Sequence, residues 1–203
     1  MTIVKFNTIF KSATQPPLNT REQSLLEDII FWAKKCTNQL SPAIKNSGNI
    51  SFRLSDNFLM TKSGAILNNL SEKDFIPIIN CDLNKQEVVV IGNQHPSSET
   101  MLHHYIYSKL PDTKVIFHFH DDEVLQAAEK LNLRITQKEA PFGTVELIEE
   151  VGKVLESNQT QNNKNYLVIK NHGIISFGKN PAEVAKLVIN YHQKAYEINN
   201  KNH

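Results

Sequence analysis

The sequence predicts a mixed α/β fold in which one β-sheet carries helices on both faces. Strand-like segments with turn residues between them fill the first half of the chain, and helical and strand-like segments alternate through the second half. A length of 203 residues suits one domain with a complete hydrophobic core and is short for two.

The first half begins with residues 1–21, which show no clear period and are interpreted as an N-terminal extension ahead of a folded domain at 22–203. A first helix is expected over about 22–39, with Thr20 and Gln23 forming its capping box. Alternating apolar residues then predict strands, of which the first two form a hairpin around Asp56 and Asn57. The predicted strands are 50–54, 58–61, 75–79 and 88–91.

The second half alternates between the two periods. Helices are predicted at 98–110, 123–131, 144–156 and from Asn180-Pro181 onward. Strands are predicted at 114–120, near 134–136, and at 166–170 and 174–177.

Composition and charge argue against several classes of partner. The 22 Lys and Arg against 21 Asp and Glu leave a net charge of +1, which supplies no broad field for nucleic acid. No apolar run approaches the roughly 18 residues that a membrane span needs, and the N-terminus lacks the apolar core of a signal peptide. Cys36 and Cys81 have no metal-binding spacing and are expected in the core. We therefore expect a cytoplasmic protein with a small-molecule partner.

Histidines supply the clearest chemical signal. His118 and His120 lie on one face of a predicted strand, with Cα atoms about 6.5–7 Å apart, so both can bind one metal ion. His172 falls between two apolar strands, at a sheet end that presents a fixed ligand. Three neutral imidazoles with an open fourth position predict a catalytic site for Zn2+ or another divalent metal. Asp121 and Asp122 are interpreted as the cap and first turn of the next helix.

A carboxylate and two hydroxyls lie at the start of the helix predicted at 98–110. Ser97, Ser98 and free N–H groups at a helix N-terminus can bind a phosphate, and Glu99 lies one residue further in, where the helix fixes it. An ordinary Ser cap with a first-turn Glu explains the same residues without a function. The polar turns at 47–51 and 61–64 could also approach a phosphate, although such turns are unspecific alone.

Taken in order, six short segments resemble the class II aldolase/adducin family across about residues 22–198. They are Gly48-Asn49-x-Ser51, Thr61-x-Ser63-Gly64, Pro96-Ser97-Ser98-Glu99, His118-x-His120, Phe142-Gly143-Thr144 and Asn171-His172-Gly173. Each segment is weak alone, and the ordered set is specific.

The resemblance implies a three-layer α/β/α fold with a central mixed, largely antiparallel sheet. It also implies a metal-dependent lyase that cleaves a small phosphorylated keto-sugar through an enediolate, with Glu99 as the acid/base residue. The metal ligands correspond to His118, His120 and His172. The phosphate-binding residues correspond to Gly48, Asn49, Ser63, Gly64, Ser97 and Ser98. Family members usually assemble as homotetramers with sites at subunit interfaces.

Alternatives stay open within and outside this family. The same site would suit a methylthioribulose-phosphate dehydratase or a sugar-phosphate 4-epimerase, and a non-catalytic, adducin-like binding module would keep only the fold. His118-x-His120 also begins the pattern of metallo-β-lactamase-like hydrolases, and cupins carry a similar pair. One departure concerns the substrate: Glu139 stands where the aldolase has a Tyr before the Phe142-Gly143-Thr144 segment.

Overall fold

One β-sheet runs through the centre of the protein. In the computed structural model, residues 6–12, 17–40, 48–55, 57–157 and 164–201 are described. The strands in this part of the chain are β1 (Asn7–Lys11), β2 (Gly48–Arg53), β3 (Phe58–Thr61), β4 (Phe75–Asp82), β5 (Glu87–Ile91), β6 (Val115–Phe119), β7 (Tyr166–Ile169) and β8 (Gly173–Gly178). They are ordered β1-β5-β4-β3-β2-β6-β8-β7, and every neighbouring pair is antiparallel except β1 and β5.

Helices cover both faces of this sheet. They are α1 (Thr20–Gln39), α2 (Thr100–Lys109), α3 (Asp122–Ala127), α4 (Val145–Glu156) and α5 (Pro181–Asn200). In β6, Phe117 and Phe119 pack into the core formed with α1, α3 and α5, whereas Ile116 packs into the core formed with α2 and α4. This alternation follows from the two-residue period of a strand. The predicted three-layer fold with a largely antiparallel sheet is confirmed.

The sequence analysis did not predict β1. Its five residues are mostly exposed, so they lack the alternating apolar pattern of a half-buried strand. Backbone bonds hold it at the sheet edge, where Asn7 N–H donates to Gln86 O at 2.8 Å and Gly92 N–H donates to Lys11 O at 3.2 Å. Residues 1–5 and 13–16 of the proposed extension lie outside the described residues. The division into an extension at 1–21 and a domain at 22–203 remains a prediction.

The cap of α1 differs from the one predicted. Asn19, not Thr20, accepts the N–H of Glu22 at 3.0 Å, and the Glu22 carboxylate accepts the N–H of Asn19 at 3.0 Å. The prediction of Thr20 with Gln23 was wrong by one residue. Asn is a stronger cap than Thr, and Glu22 stands at the third helical position that the box requires.

Most other elements match the prediction within a few residues. Asn180 caps α5 as expected, and Thr144 caps α4. The strand expected near 134–136 is reduced to one bridge between Ile135 and Val168, and the helix expected at 123–131 is α-helical only to Ala127. Among the described residues, no helix is both long and apolar enough to cross a bilayer.

Both cysteines are core residues, as predicted. Cys36 is fully buried and Cys81 is 8% exposed. Burial raises the pKa of each thiol to about 12, because a thiolate would be poorly solvated there. Neither is a reactive nucleophile.

Candidate metal centre

The three predicted histidine ligands converge at one end of two neighbouring strands. His118 lies near the end of β6 and His120 just beyond it, while His172 lies in the turn between β7 and β8. Asn171 forms this turn with a left-handed φ of 57°. The ring centroids lie 5.0 Å apart for His118 and His120, 5.0 Å for His118 and His172, and 4.8 Å for His120 and His172. The fold therefore closes the triangle that the strand pattern predicted.

Two glycines permit this close approach. A Cβ on Gly173 would overlap the carbonyl oxygen of Phe119 and would lie 3.0 Å from His118 Cε1. A Cβ on Gly48 would overlap the carbonyl oxygen of His118, and its φ of 140° is one that other residues rarely adopt. Both glycines thus allow neighbouring backbone to pack directly against His118.

Glu99 points into the centre of the histidine triangle. Its backbone, at φ −97° and ψ 13°, sits in the sparsely populated bridge region just before α2, and its side chain makes no cap bond. The carboxylate is 3% exposed. Oε2 lies 3.1 Å from His118 Nε2, and Oε1 lies 3.6 Å from His172 Nε2. An ordinary first-turn glutamate does not have this geometry.

Asn49 on β2 fixes the carboxylate from the other side. Its Nδ2 donates to Glu99 Oε2 at 2.7 Å, and the residue is 4% exposed. The buried amide therefore restricts the rotation of Glu99.

The donor set fits a divalent metal ion. The ligand atoms of Glu99, His118, His120 and His172 all lie within 4.8 Å of one another, and neighbouring ligands of a tetrahedral zinc ion lie about 3.4 Å apart. His118 Nδ1 donates to the carbonyl of Ile174 at 2.9 Å, which leaves the Nε2 lone pair facing the cluster. Among the described residues, His118 Nε2 and Glu99 Oε1 are buried without a hydrogen-bond partner. A cation would satisfy both atoms.

The protonation states of His120, His172 and Glu99 also favour a metal. Burial lowers the pKa of His120 to about 3 and that of His172 to about 4, so both rings are neutral near pH 7. Burial also acts to lower the pKa of His118, but the opposite charge of Glu99 outweighs it and leaves that pKa raised. Burial alone would raise the pKa of Glu99, whereas His118, His172 and Asn49 together hold it well below its usual range. The carboxylate is therefore ionised.

Four of the six predicted phosphate-binding residues lie in two adjacent turns. Ser97 N–H donates to Thr61 O at 3.0 Å, and Ser63 N–H donates to His95 O at 2.9 Å, which places the turn of Ser63 and Gly64 beside Ser97 and Ser98. These two N–H groups are consequently engaged by protein carbonyls. The serine hydroxyls are further donors of these two turns.

The other two predicted phosphate-binding residues face the histidines instead. Gly48 packs against the backbone of His118, and the Asn49 side-chain nitrogen binds Glu99. A role of Gly48 or Asn49 in phosphate binding remains a prediction.

Asp121 caps α3 as predicted, since its Oδ1 accepts the N–H of Val124 at 3.3 Å. Its carboxylate also lies 3.0 Å from His192 Nδ1, which connects α3 to α5. No local pattern indicates this pair, because 71 residues separate its members.

Beside His172, Asn171 Nδ2 donates to Glu139 Oε2 at 2.8 Å. The exposed ring of Phe142 lies 6.4 Å from the His172 ring, centroid to centroid. Glu139 and Phe142 lie on the segment between α3 and α4, so this segment forms one border of the site.

Comparison with known proteins identifies the family. A sequence profile of the Class II Aldolase and Adducin N-terminal domain matches residues 36–198. The chain belongs to the class II aldolase and adducin family. This membership and the complete histidine cluster make it an aldolase-type enzyme. The metallo-β-lactamase-like and cupin alternatives are therefore wrong.

Individual members of the family show different activities. An L-fuculose phosphate aldolase from Methanocaldococcus jannaschii is 30% identical over 142 residues, covering 67% of this chain and 75% of the relative. A methylthioribulose-1-phosphate dehydratase from Sulfurihydrogenibium sp. is 26% identical over 179 residues, covering 75% of this chain and 76% of the relative. The solved structure of an L-fuculose 1-phosphate aldolase, 22% identical, covers 86% of this chain and 84% of its own, with a TM-score of 0.66. That structural likeness supports the fold.

Proposed function

We propose that the protein is a zinc-dependent lyase that cleaves a small phosphorylated keto-sugar by a retro-aldol reaction. The observation that carries the proposal is the convergence of three imidazoles on one buried, ionised carboxylate. We assign His118, His120 and His172 as the metal ligands. Bound zinc would supply Lewis-acid stabilisation of the negative charge that develops on the sugar oxygens as an enediolate forms.

Glu99 is proposed to shuttle one proton. Because the carboxylate is ionised, it can take the proton of the hydroxyl group on the carbon that leaves as an aldehyde. The carbon–carbon bond breaks, and its electron pair remains with the fragment that carries the ketone. Glu99 then returns the proton to the carbon of the ketone fragment that kept this electron pair, so no further reactant is needed. Asn49 would orient the carboxylate throughout, since its amide holds Oε2.

A phosphate group on the sugar is proposed to bind at the turns of Ser63, Gly64, Ser97 and Ser98. These turns precede α2, whose N-terminal end favours an anion. Inorganic phosphate should therefore compete with the substrate, and Ser98→Ala should raise KM more than it lowers kcat. Equal turnover of phosphorylated and unphosphorylated sugars by the wild type would refute this assignment.

The direct test of the reaction is a screen of phosphorylated keto-sugars, beginning with L-fuculose 1-phosphate because several relatives carry that activity in their names. The zinc-loaded protein should release an aldehyde and a smaller ketose phosphate in equal amounts. No carbon–carbon cleavage by the zinc-loaded protein with any such sugar would contradict the proposal.

A dehydratase acting at the same site is the second candidate, favoured by the similarity to methylthioribulose-1-phosphate dehydratase. Elimination of water leaves the carbon chain intact, so mass analysis of the products separates the two reactions. An epimerase would give an isomer of unchanged mass. The exposed Glu139, held beside His172 by Asn171, is the residue at which we expect substrate preference to differ within the family.

We also propose a homotetramer and a cytoplasmic location. Phe142 is 41% exposed beside His172, at a position that a second subunit would cover in such an assembly. Light scattering on the purified full chain should give four times the 23.1 kDa chain mass. A monomeric mass at micromolar concentration would contradict the assembly.

A further inference from the structure

A ladder of side chains joins β2 to α2 behind the metal centre. Every second residue of β2 faces α2, and a step of two strand residues advances about 6.6 Å. A step of four helical residues advances about 6 Å, so every fourth residue of α2 can meet every second residue of β2. The three pairs are Asn49 with Glu99, Ser51 with His103, and Arg53 with Tyr107.

Each pair is joined by a short bond. Asn49 Nδ2 donates to Glu99 at 2.7 Å, and Ser51 Oγ lies 2.7 Å from His103 Nδ1. The guanidinium of Arg53 donates to the carbonyl of Tyr107 at 2.6 Å and lies 4.6 Å from the centre of its ring. The His103 N–H also donates to the Glu99 carbonyl at 3.1 Å. The middle pair therefore lies one helical turn from the carboxylate that the reaction uses.

A hydrogen bond between two of these pairs bears on the direction in which the protons point. Tyr107 Oη lies 2.8 Å from Ser51 Oγ, the one side-chain partner that this phenol has among the described residues. Burial raises the pKa of Tyr107 well above its usual range, so the phenol keeps its proton and can donate it to Ser51. With the phenol as the donor, Ser51 donates its own proton to Nδ1 of His103. The proton of the imidazole then lies on Nε2.

The proposed reaction assigns no role to the buried imidazole of His103. It is fully buried, and its Nε2 has no hydrogen-bond partner in the described part of the chain. Burial lowers the pKa of His103 to about 3, and the charges of Glu99 and His118 act on it as well. A protonated ring here would add a positive charge next to a site that attracts a divalent cation.

We propose that His103 is a positioning residue for Glu99, a neutral imidazole protonated on Nε2 that holds the middle pair of the ladder and thereby sets where the carboxylate stands among the three histidines. Its consequence for catalysis rests on the proposed function. The tautomer and the coupling to Glu99 do not depend on it.

The tautomer is tested by 15N NMR of the metal-free full chain labelled at histidine. The His103 signals, assigned by their loss in His103→Asn, should show a protonated Nε2 and an unprotonated Nδ1 from pH 6 to 8. Tyr107→Phe removes the donor that orders the chain and should give a mixture of tautomers. A proton on Nδ1 or a charged ring in the wild type would overturn the proposal.

The coupling is tested by a double-mutant cycle in Zn2+ affinity with Ser51→Ala and Glu99→Gln. Ser51→Ala should weaken zinc binding about tenfold when Glu99 is present and by less than twofold in the Glu99→Gln background. His104→Asn, which alters the next residue of α2 and its stacking on Phe58, serves as the matched control and should leave zinc affinity unchanged. Equal effects of Ser51→Ala in both backgrounds would show that the ladder does not act through Glu99.

Activity supplies a separate readout. On a sugar phosphate that the wild type cleaves, Ser51→Ala should lower kcat about ten- to hundredfold with KM within about twofold, because a displaced base loses rate rather than binding. An unchanged kcat would overturn the proposal. Should the wild type cleave no sugar phosphate, the proposed function fails, and the zinc cycle alone decides the role of His103. Tyr107→Phe, which keeps the ring and its packing, replaces Ser51→Ala if that variant does not fold.

Discussion

Replacing Glu99 with Gln tests the chemistry with little disturbance of the fold. Gln keeps the shape of the side chain, and its oxygen can still accept the Asn49 Nδ2 that now lies 2.7 Å from Glu99. Its amide nitrogen would then take the place of Oε1, which lies 3.6 Å from His172 Nε2. The bond to Asn49 is kept, so the free energy of unfolding of the metal-free protein should change by no more than about 1 kcal/mol.

The effect on the reaction should be far larger. An amide cannot take or return a proton, and a general acid/base group contributes about 10²–10⁴-fold to the rate. Expressed as a free energy, this is about 3–5 kcal/mol of transition-state stabilisation. Three histidines remain to bind the metal, so the variant should still load fully at saturating zinc, although the loss of the carboxylate charge lowers its zinc affinity. If Glu99 only interacted with the helix dipole, the variant would lose about 0.3–1 kcal/mol of stability and little rate.

The assay is exchange of solvent deuterium into the ketone product, followed by NMR in parallel with carbon–carbon cleavage. Glu150→Gln is the matched control, because Glu150 is also a buried glutamate, 5% exposed, but lies on α4 with Lys153 and Lys138 as partners. The control should exchange at the wild-type rate. If Glu99→Gln also exchanges at that rate, Glu99 is not the base, and Glu139 becomes the next residue to test.

Two further predictions concern the metal. Gly173→Ala should cost about 1–3 kcal/mol of stability and weaken zinc binding, because its Cβ would overlap Phe119 O and press on His118. Calorimetry measures the stability, and competition with a chelator measures the zinc affinity. A variant with wild-type values of both would contradict the packing argument. Gly178→Ala, whose Cβ would meet Val184 at 3.2 Å, is its control. Zinc affinity should fall about tenfold for each pH unit below the raised pKa of His118, because that ring must lose one proton to bind. The rings of His120 and His172, with pKa values of about 3 and about 4, stay neutral down to about pH 5. A fall of about a thousandfold for each pH unit would mean that all three rings titrate together.

The layers of the fold were predictable because they depend on local periodicity. Phe117 and Phe119 on one side of β6 and Ile116 on the other face the two cores that a period of two predicts. The β1 strand was missed because it is held by backbone bonds at an exposed edge, which leave no apolar pattern in the sequence. The α1 cap was misplaced by one residue, an error smaller than local patterns can resolve.

The candidate site was predictable where spacing fixes geometry. His118 and His120 converge because the strand period requires it, and His172 joins them because β8 pairs with β6. The contacts between Asn49 and Glu99 and between Ser51 and His103 join residues about fifty positions apart, and no local pattern encodes such pairs. A signal existed in retrospect, since Asn49 and Ser51 share a strand face, as Glu99 and His103 share a helix face.

The central claim is that one divalent metal ion binds between His118, His120 and His172. Anomalous diffraction from crystals of the zinc-reconstituted protein, recorded on both sides of the zinc absorption edge, tests it most directly. The structure predicts a single peak for each chain, about 2.0–2.1 Å from one nitrogen of each of the three rings. Absence of the peak at full zinc saturation, or a peak bound by other residues, would contradict the account.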